Sequence, residues 1–205
     1  MRITGILLAA GMSTRMGRPK QLLPFKNQTV IETVISTLLA SSLNEVLVVL
    51  GHKRKLVYQK IEAALGNKKL RIINNPDYRL GMLTSVQAAL KQISSSSTEF
   101  ALTLVDQPLI ATNTIDLLID THQSTPLPIT IPSYHGQRGH PAIFDSMLID
   151  EVLALKWDGR GMKEILEKYF DQIHYLPVDT DSILKDMDTP EDYQRLIQND
   201  PKLVI

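Results

Sequence analysis

The chain alternates short apolar runs of strand length with longer segments in which apolar residues recur at helical spacing. Residues 3–8 form an apolar run too short for a helix, ending in the small residues Ala9, Ala10 and Gly11. Across residues 29–39 the period changes: Val30, Ile31, Val34, Ile35, Leu38 and Leu39 fall on one helical face. Strand-like runs follow at 45–50, 70–73 and 100–105, with helical patterns at 53–65, 82–93 and 113–122. In the helix at 82–93, Ser85 and Gln87 lie off the apolar face. Continuously apolar strands must be covered on both sides. The alternation therefore predicts an α/β fold of three layers, with a doubly wound, mostly parallel, Rossmann-like sheet between helices.

After Pro126 the pattern changes to a short apolar run at 129–131, a turn at 135–139 and another run at 141–144. This reads as a small hairpin-like antiparallel insertion. Helical patterns at 146–155 and 161–169, a strand at 173–177 and a last helix behind Thr189-Pro190 complete the chain. Proline at the first helical position behind a threonine cap is a strong helix start. The serine run at 94–97 reads as a surface loop, and no internal repeat is found. One domain over residues 1–205 is expected.

Composition narrows the function. The 205 residues carry 22 basic and 22 acidic side chains. That balance excludes the broadly basic surface of a general nucleic-acid binder, though not a local cluster of cations. The absence of cysteine excludes disulfides, thiolate metal sites and a cysteine nucleophile. No apolar run approaches a membrane span, and no signal-peptide layout opens the chain, so a soluble cytoplasmic protein with no membrane partner is expected. His52, His122, His135 and His174 share no ligand spacing, which argues against zinc.

In an open parallel sheet, ligands bind beyond the carboxyl ends of the strands. Three unusual segments fall there. The first runs from Leu8-Ala9-Ala10-Gly11 through Ser13, Arg15 and Arg18 to Pro19-Lys20. Its small residues let backbone amides approach a ligand, Ser13 adds a hydroxyl, and three cations in one short loop call for anions such as a triphosphate. It is neither a Walker A loop nor the dinucleotide Gly-x-Gly-x-x-Gly pattern. The second is Asp106-Gln107-Pro108, a carboxylate at a strand's rim where Mg²⁺ could be held between phosphate oxygens. The third surrounds Asp186 and Asp188, each of which reads equally well as a helix cap or as a second metal carboxylate.

Together these segments resemble the molybdenum cofactor cytidylyltransferase family. The opening matches its Leu-Ala-Ala-Gly-x-Ser-x-Arg-Met-Gly-x-Pro-Lys motif. Asn75-Pro76 with Gly81-Met82 and Ser85 is similar to its Asn-Pro…Gly-Met…Ser segment, and Asp106-Gln107-Pro108 to its Asp-x-Pro motif. Residues Gly136 to Pro141, with Phe144, are similar to its Gly-x-x-Gly-His-Pro-x-x-Phe segment, and Asp188-Thr189-Pro190-Glu191-Asp192 to its closing motif. One departure stands out: where relatives show Gly-Asp-x-Gly-Ala-Arg, this chain reads Trp157-Asp158-Gly159-Arg160-Gly161-Met162-Lys163.

The resemblance implies a nucleotide-diphospho-sugar transferase-like fold. It also implies transfer of CMP from CTP to the terminal phosphate of molybdopterin or its molybdenum form, with release of pyrophosphate, for a molybdenum-dependent dehydrogenase such as xanthine dehydrogenase or its chaperone. Lys20, Arg15 and Asp106 would be catalytic. Leu8, Ala9, Ala10, Gly11, Ser13, Arg15, Lys20, Asn75, Gly81 and Ser85 would bind the nucleotide. Arg138, Gly139, His140 and Pro141 would shape the acceptor pocket, and Asp106 and Asp188 would hold Mg²⁺. His140 also reads as a turn residue bonded to backbone. Met12, Met16 and Met82 read as gap-filling residues, and Trp157 as a packing residue. The alternatives are a cytidylyltransferase for a sugar or polyol phosphate, and a non-catalytic protein that binds and delivers the cofactor.

Overall fold

Strand β1 (Ile3–Ala9) is buried along its whole length, which is why its sequence shows no alternation of polar and apolar positions. The computed structural model describes residues 1–157 and 160–198. A short hairpin of β2 (Pro24–Phe25) and β3 (Gln28–Thr29) leads into α1 (Val30–Ala40). There follow β4 (Glu45–Leu50), α2 (Arg54–Lys60), β5 (Leu70–Asn74), α3 (Met82–Leu90), β6 (Glu99–Leu104) and α4 (Thr112–Ser124). The second half comprises β7 (Ile129–Tyr134), β8 (Gln137–Arg138), β9 (Ala142–Asp145), α5 (Ile149–Ala154), α6 (Lys163–Lys168), β10 (Ile173–Pro177) and α7 (Pro190–Gln198).

The main sheet runs β10-β7-β9-β6-β1-β4-β5, with β8 attached to β7. β1 pairs in parallel with both β4 and β6, β4 with β5, and β10 with β7. Helices cover both faces, as expected. Val30, Ile31, Ile35 and Leu38 of α1 join Leu118 of α4 in one core. Val86 and Ala89 of α3 join Val152 and Ile165 in the other. A reciprocal capping box between Thr29 and Glu32 starts α1.

The insertion sits deeper than a surface hairpin. β8 does turn back on β7, but β9 enters the sheet between β6 and β7, antiparallel to both. Phe144 lies in register with Phe100, and the two rings stack with centroids 5.2 Å apart.

Several expected helices are shorter. The pattern at 53–65 yields α2 and then a separate 3₁₀ turn, Glu62–Ala64; Val57 and Ile61 are buried, but Leu56 and Tyr58 face solvent. The helix expected to Ile93 ends at Leu90, and those at 146–155 and 161–169 shrink to α5 and α6. The serine loop is not wholly superficial, because Ser97 is buried and shares a 2.7 Å hydrogen bond with Thr4. Among the described residues, no helix is long and apolar enough to cross a membrane.

Candidate active site

The loop after β1 is shaped from inside. Gln21 is buried, and its Nε2 donates to the carbonyls of Ala9 at 2.9 Å and Gly11 at 3.1 Å. The Lys20 backbone N–H donates to Ser13 Oγ at 3.1 Å, and Ser13 itself has a left-handed φ of 54°. Ser13 therefore braces the loop. Sequence reasoning passed over Gln21, since a polar residue behind a lysine gives no periodic signal.

The braced loop carries Lys20 to the rim of the sheet. Its ammonium donates to the Asp106 carboxylate at the end of β6 and to Asp188 Oδ1 at 3.1 Å. Arg15 Nη2 donates to Asp188 Oδ2 at 2.8 Å. What brings Asp188 there is backbone: the Met187 N–H donates to the Asp106 carbonyl at 3.0 Å, and the Met187 side chain is fully buried.

The structure separates the two aspartates that spacing left equivalent. Thr189 and Asp192 exchange hydrogen bonds of 2.9 and 3.2 Å across the start of α7, so that helix is capped without either aspartate. Asp188 joins Asp106 around Lys20. Asp186 instead accepts from Gln107 Nε2 at 2.6 Å. Withdrawal from water pushes the Asp186 carboxyl above its ordinary range; the Gln107 bond opposes this, and the neighbouring Asp106 and Asp188 add to it.

Two observations bear on a metal. Two carboxylates converge on one cation, and Asp106 Oδ1 is buried without a hydrogen-bond partner. A hard divalent cation would satisfy that oxygen and replace the ammonium between the carboxylates. Among the described residues no set of three His, Cys, Asp or Glu is placed to hold a metal. The remaining ligands would be phosphate oxygens and water, the usual habit of Mg²⁺. The residues fit such an ion.

Leu8, Ala10, Gly11, Lys20, Gly81, Ser85 and Asp106 line one cleft of about 310 Å³. Ala9 lies behind it in the core, and Asn75 supports it. Asn75 is buried, donates to Thr84 Oγ1 and Ser85 Oγ at 2.9 Å each, and accepts from the Asp77 N–H. These bonds explain why Ser85, expected off the apolar face, is buried all the same.

A second cavity of about 470 Å³ meets this cleft at Met82, which lines both. Arg138, Gly139 and His140 line the second cavity, whereas Pro141 faces an apolar gap beside Pro108 instead. Gly139 is required by close approach: a Cβ there would stand 2.3 Å from the Ile183 carbonyl oxygen. The His140 N–H donates to that same carbonyl at 3.3 Å. Burial holds the His140 imidazole below its ordinary pKa, partly offset by the Asp106 charge, so it is neutral at pH 7.

Two further expectations change. Of the three methionines, Met16 is buried, but Met12 and Met82 are 41% and 60% exposed and so do not fill gaps. Trp157 is 56% exposed and forms part of the second cavity's wall instead of packing in a core. Asp158 and Gly159, within the divergent segment, lie outside the described residues.

Residues 5–173 match the MobA-like NTP transferase domain. Nicotine blue oxidoreductase of Paenarthrobacter nicotinovorans is 30% identical, over 95% of this chain and 96% of its own. The molybdenum cofactor cytidylyltransferase of Escherichia coli is 27% identical over 92% of each chain. The purine catabolism protein PucB of Bacillus subtilis is 26% identical over 93% of this chain and 94% of its own. Among solved structures, the Rv0371c protein of Mycobacterium tuberculosis in complex with manganese superposes with a TM-score of 0.80 at 27% identity, covering 98% of this chain and 100% of the other.

Proposed function

We propose that this chain, which belongs to the MobA-like NTP transferase family, transfers CMP from CTP to the terminal phosphate of molybdopterin or its molybdenum form. The observation that carries the reading is the convergence of Lys20, Asp106 and Asp188 at the mouth of a small-residue loop. The cytidylyl preference draws support from the Escherichia coli relative's name. We read the whole chain as one nucleotidyltransferase domain. The role we infer is maturation of a molybdenum-dependent dehydrogenase such as xanthine dehydrogenase, delivered directly or through its chaperone; the name of the Bacillus subtilis relative is consistent with purine metabolism.

The acceptor phosphate arrives as an oxyanion and needs little general-base help. Catalysis is a matter of aligning two anions and stabilising charge on pentavalent phosphorus. An acceptor oxygen bonds to the α-phosphorus while the bond from that phosphorus to the bridging oxygen breaks, and pyrophosphate leaves with the electron pair. Arg15 and the amides around Gly11 hold the β- and γ-phosphates. Lys20 moves from the carboxylates to the α-phosphate oxygens. Asp106 and Asp188, released by that move, would hold Mg²⁺, which when bound would supply charge neutralisation at the phosphates. Arg138, Gly139 and His140 contact the acceptor, with His140 neutral and so available as a hydrogen-bonding group.

The test is pyrophosphate release with each nucleoside triphosphate in Mg²⁺, with and without molybdopterin. Release only with CTP and molybdopterin supports the reading. Release with a sugar phosphate as acceptor would favour the sugar or polyol enzyme, and binding without release the delivery protein. Oxidation of a hydride donor without pyrophosphate release would replace the transferase by an oxidoreductase.

A further inference from the structure

The second cavity is chemically lopsided. Its lining contains Met82, Leu83, Ile131, Met162 and Leu166 on the apolar side, and Arg138 and Lys163 on the charged side. Among the described residues it includes no carboxylate, amide or hydroxyl side chain. A sugar or polyol phosphate would bury several hydroxyls there with the neutral His140 imidazole as the one side-chain acceptor among the described lining residues, which is unfavourable. A flat ring carrying a phosphate can lay its apolar faces against such a wall while its polar edge keeps to water.

Trp157 supplies the surface such a ring needs. It is the only tryptophan in the chain and stands 56% exposed in the cavity wall, next to the 60% exposed Met82. A large aromatic side chain more than half exposed, lining the same cavity as a polarisable thioether, offers a stacking platform. Its position is fixed by Gly81. A Cβ at that residue would stand 2.1 Å from the indole Nε1, so only glycine lets the indole lie against the backbone where α3 begins. Gly81 itself lines the nucleotide cleft, and Met82 lines both spaces. A ring held on Trp157 therefore lies beside the nucleotide, close enough for a phosphate attached to it to enter the cleft.

We propose that Trp157 is the specificity-determining residue of the acceptor cavity, stacking on a flat nitrogen heterocycle and thereby selecting a ring-bearing phosphate ester over a polyol phosphate. This rests on the reading of the chain as a molybdopterin nucleotidyltransferase, whose acceptor carries a pterin ring, and it assigns that ring's position and the residue that reads it. The assignment requires no bond to change at Trp157. It acts on affinity for the acceptor, and so on KM more than on kcat.

The test uses the full-length protein with 6-carboxypterin as a fluorescent flat anion and glucose 1-phosphate as the polyol control. Binding is followed by pterin anisotropy, and in the wild type also by emission of the single tryptophan. The wild type should bind 6-carboxypterin, with glucose 1-phosphate competing weakly. Trp157→Ala should weaken pterin binding about tenfold or more, the range expected for a lost stacking contact, and Trp157→Phe should restore most of it. CTP affinity should be the same in all three proteins. In the pyrophosphate assay, Trp157→Ala should raise the KM for molybdopterin by a similar factor with little change in kcat.

Equal pterin affinity in wild type and Trp157→Ala, or equal affinity for glucose 1-phosphate and pterin, would overturn the proposal. If molybdopterin turns over normally in Trp157→Ala, the stacking role fails while the transferase reading stands. If pterin binding depends on Trp157 but molybdopterin yields no pyrophosphate, the transferase reading fails and the ring site remains.

Discussion

Replacing Lys20 by methionine keeps the length of the side chain and removes its charge, and the free structure predicts effects of opposite sign from that one change. In the wild type the Lys20 ammonium pairs with both Asp106 and Asp188, with side-chain exposures of only 14% for Lys20 and Asp106 and 31% for Asp188. Asp188 retains Arg15 after the substitution, so the loss falls on Asp106, whose Oδ2 loses the ammonium while its buried Oδ1 already lacks a partner. Stripping one member from a nearly buried pair should lower stability by about 2–3 kcal/mol, at the lower end of the range for buried charges. Turnover should fall about 100- to 1,000-fold through loss of a charge-stabilising donor at the reacting phosphate. Manganese binding without nucleotide should do the reverse. With the ammonium gone, two carboxylates face an open position, and the ion's affinity should rise by about tenfold or more, corresponding to about 1.4 kcal/mol. Manganese should then restore part of the lost urea midpoint, since it binds the folded form. The assays are pyrophosphate release, titration of free Mn²⁺ by electron paramagnetic resonance, and urea unfolding. A folded variant with near-normal turnover, or with unchanged or weaker manganese binding, would refute the reasoning.

Other expectations can be checked directly. Gly139→Ala drives a methyl group into the Ile183 carbonyl and should lower stability by about 1–3 kcal/mol in urea unfolding. Gln21→Leu removes two hydrogen bonds to the loop carbonyls; it should destabilise the fold by about 1–3 kcal/mol and weaken CTP binding measured calorimetrically. His140 has a pKa in the folded protein below its ordinary 6.5. The unfolded chain therefore takes up the proton first as pH falls, so this residue's contribution is present above pH 6.5 and declines below it. The stability difference between wild type and His140→Asn should shrink accordingly across that range; a constant difference would contradict the shift. Removing divalent ions with EDTA should abolish pyrophosphate release, and added Mg²⁺ should restore it.

What was legible in the sequence follows from what each residue faces. Glu45–Leu50 is bounded as read, because a strand between two packed layers needs an apolar run of its own length; Ile173–Pro177 is also bounded as read, although it is an edge strand in which only Ile173 is buried. The α1 face was legible because Val30, Ile31, Val34, Ile35 and Leu38 all point into one core. The segment at 53–65 misled because apolar residues at helical spacing need not be buried, and Leu56 and Tyr58 are not. Cation density exposed the loop of Arg15 and Lys20, but nothing periodic marks Gln21, whose partners are backbone carbonyls. Asp188 could be told from Asp186 only once Thr189 and Asp192 were seen to cap α7 between themselves and the Met187 amide was seen on Asp106. Trp157 gave no signal because its neighbour Gly81 is far away in the chain.

The ion pair between Arg15 and Asp188 spans 173 residues, and that between Lys20 and Asp106 spans 86. Contacts so distant in sequence form late, after nearer pairings have shortened the loop between them. The first strand and its cationic loop leave the ribosome early, and the sheet from β1 to β6 can be laid down while Asp188 is still unmade. Until Met187 docks on the Asp106 carbonyl, the loop's positive charges have only part of their acidic counterpart. If the proposed function holds, competence to bind metal and nucleotide together emerges at the end of assembly, so that a nascent or partly folded chain holds its strands in place before it can act on a substrate.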